Sequence, residues 1–380
     1  MGILFATLVV KFRNVTQDIK SGFLKREISE IFRLRPSNRH WSVPVLAALC
    51  VGIPLLIGLA LDKFSQSLTV GLAGMVILYL PGQANVVGRM AKLLICSFGF
   101  LIAYGVGITF SFNPIASSIA FGVFSMIIHW ISLSLRLAPP GNFFFIMLCA
   151  IGSGMPFNLG MIPERMGLVA MGTIMACFLA LLNSLIFFKP DITADTKHAL
   201  DGVVVRKDAD YIEALIVGFF MFGSLMLAHA LNFQKPYWIP TSCLAVMQGA
   251  TTAHVWRRGF YRVLGTIGGM GLCWVLLLTL KTPVGLVIAI ILLQYMVEVI
   301  VPRNYILAML FISPLTILLA ETNSHIADPH ELIATRVVDV LIGSLLGAIG
   351  GWVVHHEKIR YKAVRGIKIT RRALRKKMNG

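Results

Sequence analysis

Charge is what this sequence has least of. Only 13% of its 380 residues are charged, and 17 acids stand against 34 lysines and arginines. A soluble chain of this length carries roughly a quarter charged residues, so a water-soluble fold is excluded. Enzyme signatures are missing as well: no HExxH, GxSxG, Walker loop or paired-carboxylate constellation occurs. The six cysteines (Cys50, Cys96, Cys149, Cys177, Cys243, Cys273) show no CxxC or histidine-paired spacing and all fall in apolar runs. They read as small packing residues, not as disulfides or metal ligands. Neither a cofactor nor a metal is expected, and the protein is read as a non-enzyme.

What is abundant is apolar sequence, 57% of the chain. It is cut into runs of about 15–22 residues, the length that spans the hydrocarbon core. The runs start near Val43, Ser67, Met90, Pro114, Phe143, Met166, Tyr211, Tyr237, Phe260, Pro283, Asn304 and Thr335. This predicts an all-α polytopic membrane protein of about twelve transmembrane helices. With both termini cytoplasmic, the basic residues fall overwhelmingly on the inner side. Of 34, only Lys63, Arg165, Lys235, Lys281 and Arg336 lie on the other, as retention of positive charge during insertion requires. A shift of one span would scramble that asymmetry. The net charge of +17 is thus topological, with attraction to anionic lipid headgroups; nucleic acid is not an expected partner.

The chain divides into five stretches. Residues 1–40 place apolar positions at near-helical spacing among basic ones, which reads as an amphipathic helix on the cytoplasmic surface. Residues 41–190 form a first six-helix repeat, 191–210 a cytoplasmic linker, 211–356 a second six-helix repeat, and 357–380 a basic cytoplasmic tail. The repeat rests on shared motifs. Arg165 is followed seven, eleven and fifteen positions on by Gly172, Ala176 and Ala180; Arg336 is followed at the same offsets by Gly343, Gly347 and Gly351. Small residues on one face let helices pack closely in lipid. Asn142-Phe143 and Asn304-Tyr305 each precede a Met-Leu pair at one offset, and Arg89 and Arg262 each open a span. Six spans per half is even, so the repeats are parallel, related by an axis along the membrane normal.

Two spans are too short for a straight crossing: Ser67–Leu80, which ends at Pro81-Gly82, and Tyr237–Gly249, which holds Pro240 and Thr241. They are the second helix of each repeat. About 14 residues rise only ~21 Å, and short or interrupted spans at matching places point to a central binding site. The fifth and eleventh spans carry matching breaks, at Gly152–Pro156 and at Ser313-Pro314. Ionisable residues within spans are costly to insert and are therefore functional candidates. Asp339 lies a turn inside the last span on the face of Arg336, as proton carrier or gate latch, or as a plain ion pair. His129, beside Trp130, could titrate near neutral pH or simply bond a neighbouring helix. Glu298, at the end of its span, reads as solvated. Arg257, Arg258 and Arg262 are placed on the loop after the short eighth span, where they could draw in an anion.

Tyr237-Trp238-Ile239-Pro240-Thr241, then Gln248, Arg262, Gly265-Thr266, Gly268, Asn304-Tyr305 and Arg336 with Asp339 and Gly343 occur in this order. That series resembles the fusaric acid resistance protein-like family, which includes aromatic carboxylic acid exporters, most clearly over 211–356. The resemblance implies proton-driven export of aromatic or other organic acids across a bacterial inner membrane, often with a periplasmic adaptor subunit. The reading that follows is a secondary transporter of small organic anions. Its substrate path would use Trp238, Pro240, Thr241, Gln248, Arg262, Thr266 and Asn304, with Asp339, Arg336 and His129 for proton coupling or gating. Expected partners are a small organic anion, membrane lipids, a periplasmic adaptor and further copies of the chain in a homo-oligomer. A passive organic-anion channel and a non-transporting membrane assembly subunit remain open alternatives.

Overall fold

The computed structural model describes residues 34, 36–37, 40–82, 85–187, 210–280, 282–321 and 329–356. The segments expected over 1–40, 191–210 and 357–380 lie outside these, apart from residues 34, 36, 37, 40 and 210. The described residues form twelve α-helices and no strand. They are α1 (Ser42–Ala60), α2 (Phe64–Ala73), α3 (Val86–Thr109), α4 (Pro114–Ser134), α5 (Phe143–Ser153) and α6 (Ile162–Phe187). There follow α7 (Tyr211–Ala230), α8 (Trp238–Met247), α9 (Thr252–Thr279), α10 (Pro283–Ile300), α11 (Tyr305–Glu321) and α12 (Pro329–His355). Eight are long and apolar enough to cross a membrane; α2, α5, α8 and α11 are shorter.

The helix starts follow local chemistry. Asn113 precedes Pro114 and accepts from the amides of Ile115 and Ala116; Thr282 precedes Pro283 and accepts from that of Gly285. A polar cap followed by proline at the first helical position is a strong start signal. Asn85, Asp210 and Thr251 cap α3, α7 and α9 in the same way.

The short elements are where the sequence placed them. α2 is 10 residues and tightens into a 3-10 turn over Gly74–Tyr79; α8 is also 10 residues. Each α-helical part rises only ~15 Å, half of a hydrocarbon core. α5 stops after 11 residues, just before Gly154-Met155-Pro156. The matching break expected at Ser313-Pro314 does not form. α11 runs through Pro314, and the Ser313 hydroxyl donates to the Met309 carbonyl one turn back. Proline is tolerated inside membrane helices when neighbouring groups meet the displaced backbone.

The small-residue faces explain how the short helices are held. A Cβ on Gly172 would meet the Val70 carbonyl of α2, and one on Gly343 would lie 2.5 Å from both the Ile239 carbonyl and the Ser242 Cβ of α8. α6 and α12 thus press backbone to backbone against α2 and α8, as glycine faces in lipid permit. Packing partners recur along the chain: α3 lies on α5 and α6, α9 on α11 and α12, α1 on α2, and α7 on α8. Between the first six and last six helices, α4 packs along α7 and α1 along α10. Gly122 and Gly218 face each other across the α4–α7 crossing.

Candidate functional site

A cavity of about 1160 Å³ lies among the short helices. Its wall combines α2, α5, α8 and α11 with parts of α3, α4, α7, α9, α10 and α12. The volume exceeds the ~300–1,000 Å³ usual for small-molecule sites. It arises because helices that stop early leave room between neighbours that do not.

The cavity is cationic and aromatic. Arg262 is 6% exposed and lines the wall. It donates from Nη2 to Ser242 Oγ at 3.3 Å, and its Nη1 reaches the Met309 sulfur at 3.8 Å. Arg258 donates to the Gln248 carbonyl at 3.1 Å and stands over the Tyr305 ring at 4.8 Å. Both arginines belong to the first turns of α9, not to the preceding loop as the sequence suggested. The helix begins at Thr252, capped by Thr251, well ahead of the apolar run. A cation carried on a helix that flanks the cavity is aimed more rigidly than one on a loop.

Towards the far end of α8, the Arg336 guanidinium lies 3.3 Å from the centroid of the Trp238 ring and donates to Thr316 Oγ1 at 3.4 Å. Trp238 opens α8, and Tyr237 packs beside it with ring centroids 4.9 Å apart. A guanidinium stacked on indole is held by the ring quadrupole and keeps N–H groups in its plane for an anion.

At the opposite end, beside Arg258, a polar chain crosses the wall. Gln248 Nε2 donates to Asn142 Oδ1 at 3.3 Å, Asn142 Nδ2 lies 2.8 Å from His129 Nδ1, and His129 Nε2 lies 3.3 Å from Glu213 Oε1. Glu213 and Asn142 escaped the sequence reading. Glu213 looks like an ordinary first-turn acid of α7, favoured there by the helix dipole; Asn142 stood out only as a repeat marker. Neither residue type betrays a partner more than 80 positions away.

Of the residues expected to form the site, Trp238, Thr241, Gln248, Arg262, Thr266, Arg336 and His129 all line this cavity. Pro240, Asn304 and Asp339 are buried but are not part of its wall. Asn304 caps α11, its Oδ1 accepting from the Ile306 and Leu307 amides. Glu298 is not solvated as expected. It is 4% exposed, lines the cavity and accepts from Gln294 Nε2 at 3.4 Å. Five of the six cysteines are buried within helices.

Fold and site together define a polytopic helical membrane protein built round a cationic, aromatic cavity. Residues 222–350 match the family model described as Fusaric acid resistance protein-like, the stretch that carries the ordered series from Tyr237 to Gly343. Over 139 residues the chain is 33% identical to the "Uncharacterized membrane protein YvaC" of Bacillus subtilis (strain 168), a match covering 37% of this chain. It covers 22% of the length of that relative. No solved structure matches.

Proposed function

We propose that the protein is a secondary transporter that exports small organic acids, aromatic carboxylates foremost, across the bacterial inner membrane in exchange for protons. The observation that carries this reading is the cavity itself, lined by Arg258, Arg262 and Arg336 beside the rings of Trp238, Tyr237 and Tyr305. Cations answer a carboxylate and ring faces answer an aromatic body. Two parallel six-helix repeats, 41–190 and 211–356, are part of the proposal. The matching order of helix contacts in the two halves and the paired Gly172 and Gly343 faces support it. So are cytoplasmic termini, with the 1–40, 191–210 and 357–380 segments on that side.

Within this reading Trp238, Thr241, Gln248, Arg262 and Thr266 form the path, with Pro240 and Asn304 shaping the helix starts beside it. Arg336 and Asp339, one turn apart on α12, form a gate at the Trp238 end, and His129 belongs to coupling at the other. Partners are the organic anion, membrane lipids, an adaptor subunit on the outer side and further copies of the chain.

The test is uptake of 4-hydroxybenzoate and phthalate into vesicles of the purified protein with an acidic lumen. Proton–anion exchange draws the acid into that lumen, whereas simple permeation of a neutral acid fills an alkaline one. Accumulation in the acidic lumen above protein-free vesicles is expected; its absence across a panel of aromatic and aliphatic acids contradicts the proposal.

A further inference from the structure

The polar chain at the end of the cavity joins the two halves of the protein. His129 on α4 and Asn142 at the start of α5 come from the first six helices; Glu213 on α7 and Gln248 at the end of α8 come from the last six. Donors and acceptors alternate along it. Gln248 donates to Asn142, Asn142 donates to His129 Nδ1, and the imidazole proton is therefore on Nε2, facing the Glu213 carboxylate. The pair is partly open, with side chains 16% and 26% exposed, and both residues line the cavity. Among the described residues Glu213 is the charged group bonded to the imidazole. The other charged or titratable groups lining this end are Lys92 on α3, Arg258 on α9, Glu298 on α10, Tyr305 on α11 and His355 on α12, with Tyr79 donating to the Gly141 carbonyl beside Asn142. Arg136 lies exposed just beyond α4.

Adding a proton has one place to go on this imidazole, Nδ1, which faces the Asn142 amino group. An imidazolium donates from both nitrogens, so Asn142 must turn its amide to present oxygen. Its amino group then faces Gln248, which must turn in its own right to accept. The protonation state of His129 is thereby expressed at Gln248, the residue that ends α8, while Trp238 and Thr241 of that same helix line the path. The Glu213 carboxylate, 3.3 Å from Nε2, faces the imidazole from the side away from Asn142.

We propose that His129 and Glu213 are the proton-binding site of the transporter, and that Asn142 and Gln248 pass its state to α8. This rests on the transport reading above. One proton from cavity water binds at Nδ1 and leaves to water from the same nitrogen; no other bond changes.

The test compares two modes of transport in vesicles: accumulation driven by an imposed pH gradient, and exchange of labelled for unlabelled 4-hydroxybenzoate at equal pH. Glu213→Gln keeps an acceptor but removes the charge, and Asn142→Leu removes the relay at similar size. Each is expected to lower gradient-driven accumulation by about tenfold, an ordinary size for a coupling free energy, with exchange and the melting temperature as in wild type. Either variant serves if the other is poorly folded. Wild-type accumulation in a folded variant overturns the inference and leaves the transport reading standing. Equal loss of both modes also overturns it, by placing these residues in the substrate path. A wild-type protein inert in both modes removes the transport reading, and this site with it.

Discussion

Arg336 on α12 lies over the ring of Trp238 at the head of α8, its guanidinium carbon 3.3 Å from the ring centroid. The same α12 carries Gly343 and Gly347, which press on the backbone of α8 further along. One helix thus holds the short one twice, by close packing along its length and by a cation over its first ring. The stack stands in the cavity wall beside Tyr237.

Lysine should not replace arginine there. A compact ammonium cannot stack or present a planar fork, so Arg336→Lys is expected to fail although it keeps the charge. In a double-mutant cycle with Trp238→Leu, thermal unfolding in detergent should return a coupling of about 1–2 kcal/mol, the range for a desolvated cation–π pair. Additive effects of the two substitutions would show that the stack contributes nothing.

Side-chain bulk at the α12–α8 contact should be felt at once. A Cβ at Gly343 already falls 2.5 Å from Ile239 O, so Gly343→Leu must push α8 towards the cavity. Overpacking of this kind destabilises by about 1–3 kcal/mol, read as a lowered melting temperature. Gly167→Ala is the matched control, because nothing lies within 4 Å of its Cβ; it should melt as wild type.

Arg262→Gln should weaken anion recognition without unfolding the protein. The arginine holds Ser242 at 3.3 Å from one nitrogen and faces the cavity. Loss of a charged hydrogen bond is worth about 1.5–3 kcal/mol, so KM for an aromatic carboxylate should rise at least about tenfold. An unchanged KM would remove Arg262 from the path.

Topology can be read with an impermeant thiol reagent on a cysteine-free background. Phe112→Cys and Gln234→Cys, both exposed between helices at one end, should label from outside the cell. Ala138→Cys and Ala250→Cys, exposed at the other, should label only after the membrane is opened. Labelling of all four from one side would contradict an even number of crossings per half.

Much of this architecture was legible in the residues. Apolar run length marked every helix, with starts near Pro114 and Pro283 where the structure has them. The brevity of α2 and α8 followed from the short runs Ser67–Leu80, ended by Pro81-Gly82, and Tyr237–Gly249, which holds Pro240 and Thr241. What failed was the reading of single residues whose meaning lies in partners distant in sequence. Pro314 looked like a break, but α11 runs through it. Glu298 looked solvated because it sits near a helix end, yet the packed end of α10 buries it. Asp339 was legible as an acid within a span; its place just outside the cavity wall was not. Its energetic cost marks it as unusual without locating it.

The most direct test of exchange between acid and proton is the sign of the lumen pH change. Vesicles holding a pH dye start at equal pH inside and out, with potassium and valinomycin clamping the membrane potential, and receive 4-hydroxybenzoate outside. Exchange carries the anion in and protons out, so the lumen should turn alkaline only with the protein present, and less so with Arg262→Gln. A lumen that acidifies, as permeation of the neutral acid dictates, or an anion current with no proton movement, would contradict the account.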